Sequence, residues 1–145
     1  MSETILEIEN LSVVYETDME TVHAVNGISF SLGKGETLGL VGETGAGKTT
    51  TALTILGLLP ERTGKITGGA IRFEGTELGK LSAHEMEKIR GARISMIFQD
   101  PMSALNPVLT VGSQIAEALE LHNTDGLSKK EIEKRVEDTL EMVGI

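Results

Sequence analysis

Cysteine is absent from these 145 residues, so neither a disulfide nor a thiolate metal site belongs to this chain. Basic residues are scarce, with 13 Lys and Arg against 22 Asp and Glu and a formal charge of −9. That balance argues against general binding to nucleic acid or to anionic lipid. Aromatic side chains make up 3% of the sequence, and Tyr15 is the single tyrosine. Long hydrophobic runs are missing too. Stretches such as Ile55 to Leu59 are far too short to cross a bilayer. The start, Met1-Ser2-Glu3-Thr4, is acidic and no apolar segment of export-signal type follows it. His23, His84 and His122 are scattered without the spacing of metal ligands. The expectation is a soluble, cytosolic chain of single-domain length.

What the sequence does hold is glycine, 17 residues in all, concentrated in the first half. Eight positions stand out: Gly42, Glu43, Thr44, Gly45, Ala46, Gly47, Lys48 and Thr49, a complete G-x-x-x-x-G-K-[S/T] phosphate-binding loop. Glycines in that pattern let successive backbone N–H groups turn toward an anion with no Cβ in the way. Lys48 sets a compact positive charge against terminal phosphates, and the Thr49 hydroxyl suits Mg²⁺. A helix starting here adds the positive end of its dipole to the same point. The flanks fit the motif. Thr37-Leu38-Gly39-Leu40-Val41 is a short apolar run of the kind a buried parallel strand gives. Thr50 to Leu59 reads as an apolar helix stopped by Pro60.

Elsewhere the pattern is one of sheet followed by helices. Ile5 to Leu32 alternates on either side of the polar stretch Glu16 to Thr21, which predicts antiparallel strands joined by a hairpin or longer loop. Ala70 to Gly75 reads as another short strand. Ser82-x-x-Glu85 has the form of a capping box and predicts a short helix to Arg90, with Gly91 as its stop. Ile94 to Phe98 is a second apolar strand candidate, leading into Gln99-Asp100-Pro101. Val111 to Leu121 and Ser128 to Val143 read as helices, the second with a capping box at Ser128 and Glu131 and an apolar stripe of Ile132, Val136, Leu140 and Val143.

Together these residues resemble the first half of an ABC transporter ATPase domain, in particular the oligopeptide and dipeptide importer branch. Asn10 to Tyr15 is similar to that family's first strand, ending in the aromatic that stacks on adenine. Ala24 to Phe30 followed by Gly35-Glu36 is similar to its second strand and turn. Met96 to Pro107, with Pro101 and Pro107, resembles its Q-loop. The resemblance implies an α/β fold: an antiparallel β subdomain over residues 1–35, a P-loop core over 36–107, and the start of a helical subdomain over 108–145. It implies nucleotide contacts from the octet Gly42 to Thr49 with Thr50, Tyr15 and Gln99, catalytic roles for Lys48 and Gln99, and Mg²⁺ ligation by Thr49 and Gln99. It implies ATP and Mg²⁺ as ligands. The implied partners are two transmembrane permease subunits reached through the Gln99 to Pro107 loop, a second ATPase subunit, identical or not, and, indirectly, an extracytoplasmic substrate-binding protein. The implied location is peripheral, on the cytoplasmic face of the cell membrane. Taken from its residues alone, Tyr15 reads more readily as a cross-strand packing residue than as a base platform, and Gln99 can be read as an ordinary loop residue.

The likeness has limits. Nothing like the family's Leu-Ser-Gly-Gly-Gln signature occurs, no apolar strand ends in Asp-Glu, and no switch His is found. The expectation is therefore a piece of a longer polypeptide that holds nucleotide without turnover, with an open sheet edge and a tendency to associate. Rival readings are the ATPase of a nickel or other metal-chelate importer, a P-loop GTPase or kinase, and a non-hydrolysing binding fragment. Against the GTPase, the guanine-reading N-K-x-D is missing, and Asn123-Thr124-Asp125 lacks its Lys.

Overall fold

β-Branched residues and alternation build one four-stranded antiparallel sheet in the first part of the chain. A computed structural model describes residues 3–100 and 104–145. Strands β1 (Thr4–Glu16) and β2 (Thr21–Gly33) form the hairpin that the alternation implied. The chain then leaves the sheet, passes through the glycine loop into helix α1 (Lys48–Ile55), and returns as β3 (Gly64–Phe73) on the other side of β1. A short β4 (Thr76–Glu77) closes the order β2-β1-β3-β4. β1 is thus the central strand, and it supplies the side chains most deeply buried, Ile8, Leu11 and Val13. Each contributes about 1.5–3 kcal/mol by leaving water.

The buried residues of β1 do not keep one parity. Register shifts between Ile8 and Leu11, and again between Leu11, Val13 and Val14, let Val14 be buried beside Val13. At the first shift Asn10 adopts a positive φ of 46° and its N–H donates to Ser29 Oγ at 2.8 Å. The extra residue of a bulge moves the side-chain alternation by one. On the solvated side, Arg72 of β3 bridges Glu9 at 2.7 Å and Glu7 at 3.2 Å. Hydrogen bonds that Arg72 donates to Glu9 first, then to Glu7, hold its pKa above the ordinary value.

Beyond the sheet come a single 3-10 turn (Leu78–Lys80) and helix α2 (Ala83–Ile89). The Ser82 capping box forms as the sequence implied: Glu85 Oε2 accepts from the Ser82 N–H at 2.8 Å, and Ser82 Oγ accepts from the Glu85 N–H at 3.3 Å. Helices α3 (Val111–Leu121) and α4 (Lys129–Met142) follow the expected bounds closely. Thr110 caps α3 by accepting from the Ser113 N–H, and Ser128 and Glu131 form a full capping box on α4. Of the α4 stripe, Ile132 and Val136 are buried, Leu140 is half-buried and Val143 is exposed.

The chain divides into two compact units, Met1–Glu87 and Lys88–Ile145. Two expectations about them need correction. Residues Thr37 to Val41 form no strand, and Val41 is 96% exposed. Residues 95–98 likewise form none: Ile94 makes one isolated bridge with Arg90, and Ile97 is 98% exposed. A parallel strand exists only through its pairing, and among the described residues neither run is paired in a ladder. Helix α1 also ends sooner than expected. Gly57, at φ 62°, closes it with the paired bonds Gly57 N–H to Thr54 O (3.0 Å) and Leu58 N–H to Leu53 O (2.8 Å), before Pro60 is reached.

Candidate functional site

The glycine loop owes its shape to a few backbone bonds and one close approach. The Ala46 N–H donates to the Glu43 carbonyl at 3.1 Å, turning residues 43–46 back on themselves. Gly47 then takes φ 79° and stands as the N-cap of α1. A Cβ at this position would lie 2.2 Å from the Ala24 carbonyl oxygen and 3.2 Å from Val25 Cγ2, both on β2. Gly47 is therefore required on two counts: its backbone is left-handed, and β2 leaves no room for a side chain. That seat against Ala24 and Val25 was not legible in the motif, which specifies the glycine but not what presses on it.

Helix α1 begins with Lys48 and has no side-chain cap and no acidic residue in its first turn. The opening N–H groups of a helix point outward without intrahelical partners, and here the N-cap, Gly47, has no side chain to cap them. Lys48 is half-buried, and its ammonium donates to the carbonyls of Gly42 at 2.5 Å and Glu43 at 2.6 Å. The positive charge is thus held within the loop, next to the uncapped helix start. Thr49 is exposed at the same end. Uncapped amides, an ammonium and a free-standing hydroxyl at one helix terminus make a chemically coherent anion site.

The threonines that follow divide into two kinds. Thr51 and Thr54 are buried, and their hydroxyls donate back to the carbonyls of Gly47 (2.9 Å) and Thr50 (2.6 Å). Thr50 instead accepts, at 3.3 Å, from the hydroxyl of Tyr15 near the end of β1. Tyr15 is half-buried and pairs across the sheet with Val22 and with Gly64. So Tyr15 and the glycine loop, 27 or more residues apart in the chain, are brought together in one unit by the β1 and α1 placement.

In the second unit, Gln99 lies at an exposed bend after residues 95–98. Pro101, Met102 and Ser103 of the expected Gln99 to Pro107 loop lie outside the described residues. The end of that loop is fastened by a residue the sequence reading did not single out. Gln114, on α3, accepts from the Asn106 N–H at 2.8 Å and donates to the Asn106 carbonyl at 3.1 Å. Asn106 in turn accepts from the Val108 N–H at 3.1 Å, an Asx turn. A Gln eight residues downstream carries no local signal for such a clamp.

Among the described residues no group of three or more His, Cys, Asp or Glu is placed to hold a metal, and no helix is long and apolar enough to cross a membrane. A Mg²⁺ ion that accompanies nucleotide uses one or two protein oxygens and takes the rest from phosphate and water. The Thr49 hydroxyl beside the loop fits that donor pattern.

Comparison with known proteins draws these features together. The family described as ABC transporter matches residues 25–145. The dipeptide transport ATP-binding protein DppD of Bacillus subtilis (strain 168) is 52% identical over 143 residues, which are 99% of this chain and 42% of that protein. The oligopeptide transport ATP-binding protein AppD of the same organism is 45% identical over 141 residues, 97% of this chain and again 42% of the relative. The chain thus spans less than half the length of the curated relatives it matches. Among solved structures, an ATP-binding cassette captured as a dimer in a post-hydrolysis state with ADP and Pi has a TM-score of 0.80 at 25% identity. It covers 95% of this chain and 56% of the other. The protein cbiO1 of Clostridium perfringens, part of the ABC transporter complex cbiONQ, has a TM-score of 0.69 at 27% identity, with coverages of 99% and 51%.

Proposed function

This chain belongs to the ABC transporter family and has the fold of its ATPase cassettes, and we propose that it is the nucleotide-holding part of a subunit powering import of dipeptides or oligopeptides. Its substrate there is ATP. The loop amides of residues 42–47 and the α1 N-terminus hold the phosphates, Lys48 neutralises their terminal charge, and Tyr15 carries the base. Mg²⁺, when bound, draws off phosphate charge, with Thr49 and Gln99 as the residues offered to it. Lys48 and Gln99 are the catalytic residues in this reading, Gln99 by orienting the attacking water.

The remaining assignments follow the same reading. Subdomains run over residues 1–35, 36–107 and 108–145. The Gln99 to Pro107 loop meets two membrane permease subunits, a second ATPase subunit closes face to face on the nucleotide, and an extracytoplasmic binding protein delivers cargo. The subunit sits on the cytoplasmic face of the membrane and uses no nucleic acid. Taken alone, the 145 residues hold nucleotide without turning it over. Their sequence lacks the signature and the Asp-Glu strand end that phosphoryl transfer in this family draws on.

The observation that carries the reading is the Lys48 ammonium, held by two loop carbonyls at the mouth of a helix with no side-chain cap. Calorimetric titration of the intact protein with Mg-ATP tests it. Lys48→Ala is expected to weaken binding about tenfold or more, the loss of a charge-assisted contact. ATP is expected to bind with GTP no tighter. Unchanged ATP affinity in the Lys48 variant overturns the reading.

A further inference from the structure

Four threonines lie on α1, and Thr50 is the one whose hydroxyl meets a side chain of the sheet. Thr51 and Thr54 spend theirs on carbonyls four residues back, the usual course for a helical Thr. Thr50 receives a hydrogen bond from Tyr15. A hydroxyl accepts and donates at once, so Thr50 retains a proton to give. It stands two residues after Lys48, in the first turn of α1, where the helix has no side-chain cap.

Tyr15 has more than a flat ring to offer. Stacking on a base needs only the π-face, which Phe supplies equally. Its hydroxyl, however, reaches across from the central strand to α1 and is the sheet's polar side-chain link to that helix turn among the described bonds. A donor that itself receives a hydrogen bond is polarised and donates more strongly.

We propose that Tyr15 is a positioning residue acting through Thr50: its hydroxyl orients and polarises the Thr50 hydroxyl toward a phosphate oxygen of the bound nucleotide. This rests on the reading of the glycine loop as a triphosphate site. It adds to that reading a link by which the aromatic end of the site sets the strength of its phosphate end, without any contact between Tyr15 and phosphate.

The test uses a ligand with no base. Affinities of the intact protein for Mg-ATP and for Mg²⁺ with inorganic tripolyphosphate are measured for wild type, Tyr15→Phe, Thr50→Val and the double variant. Tyr15→Phe is expected to weaken both ligands about threefold, the scale of one long hydrogen bond. In the Thr50→Val background, Tyr15→Phe is expected to add nothing. Thr50→Ser restores sensitivity to Tyr15→Phe, since it keeps the hydroxyl. Tripolyphosphate affinity that ignores Tyr15→Phe overturns the proposal, as do effects of the two changes that simply multiply. Failure of the loop reading looks different: Lys48→Ala then leaves tripolyphosphate and ATP binding untouched, and this proposal goes with it.

Discussion

The Ala24 carbonyl oxygen occupies the space that any side chain on residue 47 would need, 2.2 Å from the ideal Cβ position. The contact joins β2 to the last residue of the glycine loop, so the loop is seated on the sheet and not merely attached to it. Backbone cannot be moved aside as the tip of a long side chain can, and Gly47 also holds φ 79°.

Gly47→Ala is therefore expected to cost about 2 kcal/mol or more, from left-handed strain and from overpacking. Urea unfolding monitored by circular dichroism measures it. Gly39→Ala serves as the comparison, because a Cβ there meets nothing within 4 Å and no positive φ is imposed. Equal stability of the two variants contradicts this account of the seat.

Gln114, in the second unit, offers a second test. Its amide satisfies both backbone groups of Asn106. Gln114→Ala should release residues 104–110, with a loss of about 1 kcal/mol per bond at most in this partly exposed setting. Amide exchange at Asn106 and Val108 is expected to quicken several-fold (about that scale by the same bond energy). Gln114→Glu keeps the acceptor for the Asn106 N–H and should protect that amide better than Ala does. No change in exchange at Asn106 in Gln114→Ala counts against the clamp.

The α4 cap gives a pH dependence with a definite sign. Glu131 has its pKa lowered from an ordinary 4.5, first by the hydrogen bond from the Ser128 side chain and then by that from the Ser128 backbone. A carboxylate whose folded pKa is depressed stabilises the folded state fully above its unfolded value. That contribution fades as pH falls through the lower folded one. Helicity measured from about pH 6 down to about pH 3 should therefore fall more steeply in wild type than in Glu131→Gln, which has no charge to lose there. Parallel curves for the two proteins refute the cap's role in acid sensitivity.

Local signals were the readable ones. The Ser82 and Ser128 capping boxes lie within a few residues of the helices they start, so those starts could be set from sequence, whereas the Thr110 cap of α3 emerged only in the structure. The β1–β2 hairpin and the glycine octet are equally local. What failed to show was long-range. Thr37 to Val41 and Ile94 to Phe98 have the apolar character of strands, but a ladder needs partners that residue type does not supply. β3 begins at Gly64 rather than Ala70 because Lys65, Ile66 and Gly68 pair with Val14, Val13 and Ser12 of β1, a match set by the bulges there. Gly57 ended α1 before Pro60 because a left-handed glycine completes two carbonyl bonds at once. The Tyr15–Thr50 bond and the Gln114 clamp appear only when strands and helices are set in space.

The strand order has a mechanical meaning. β2 and β3 lie on opposite flanks of β1, and residues 34–63, which include the glycine loop and α1, span from one flank to the other. The glycine-loop segment is thus a bight of chain belayed at both ends to one central rail. It cannot slacken from either end unless a ladder of β1 unzips, so the sheet pins its ends while the loop's own few bonds and the Gly47 seat set its shape.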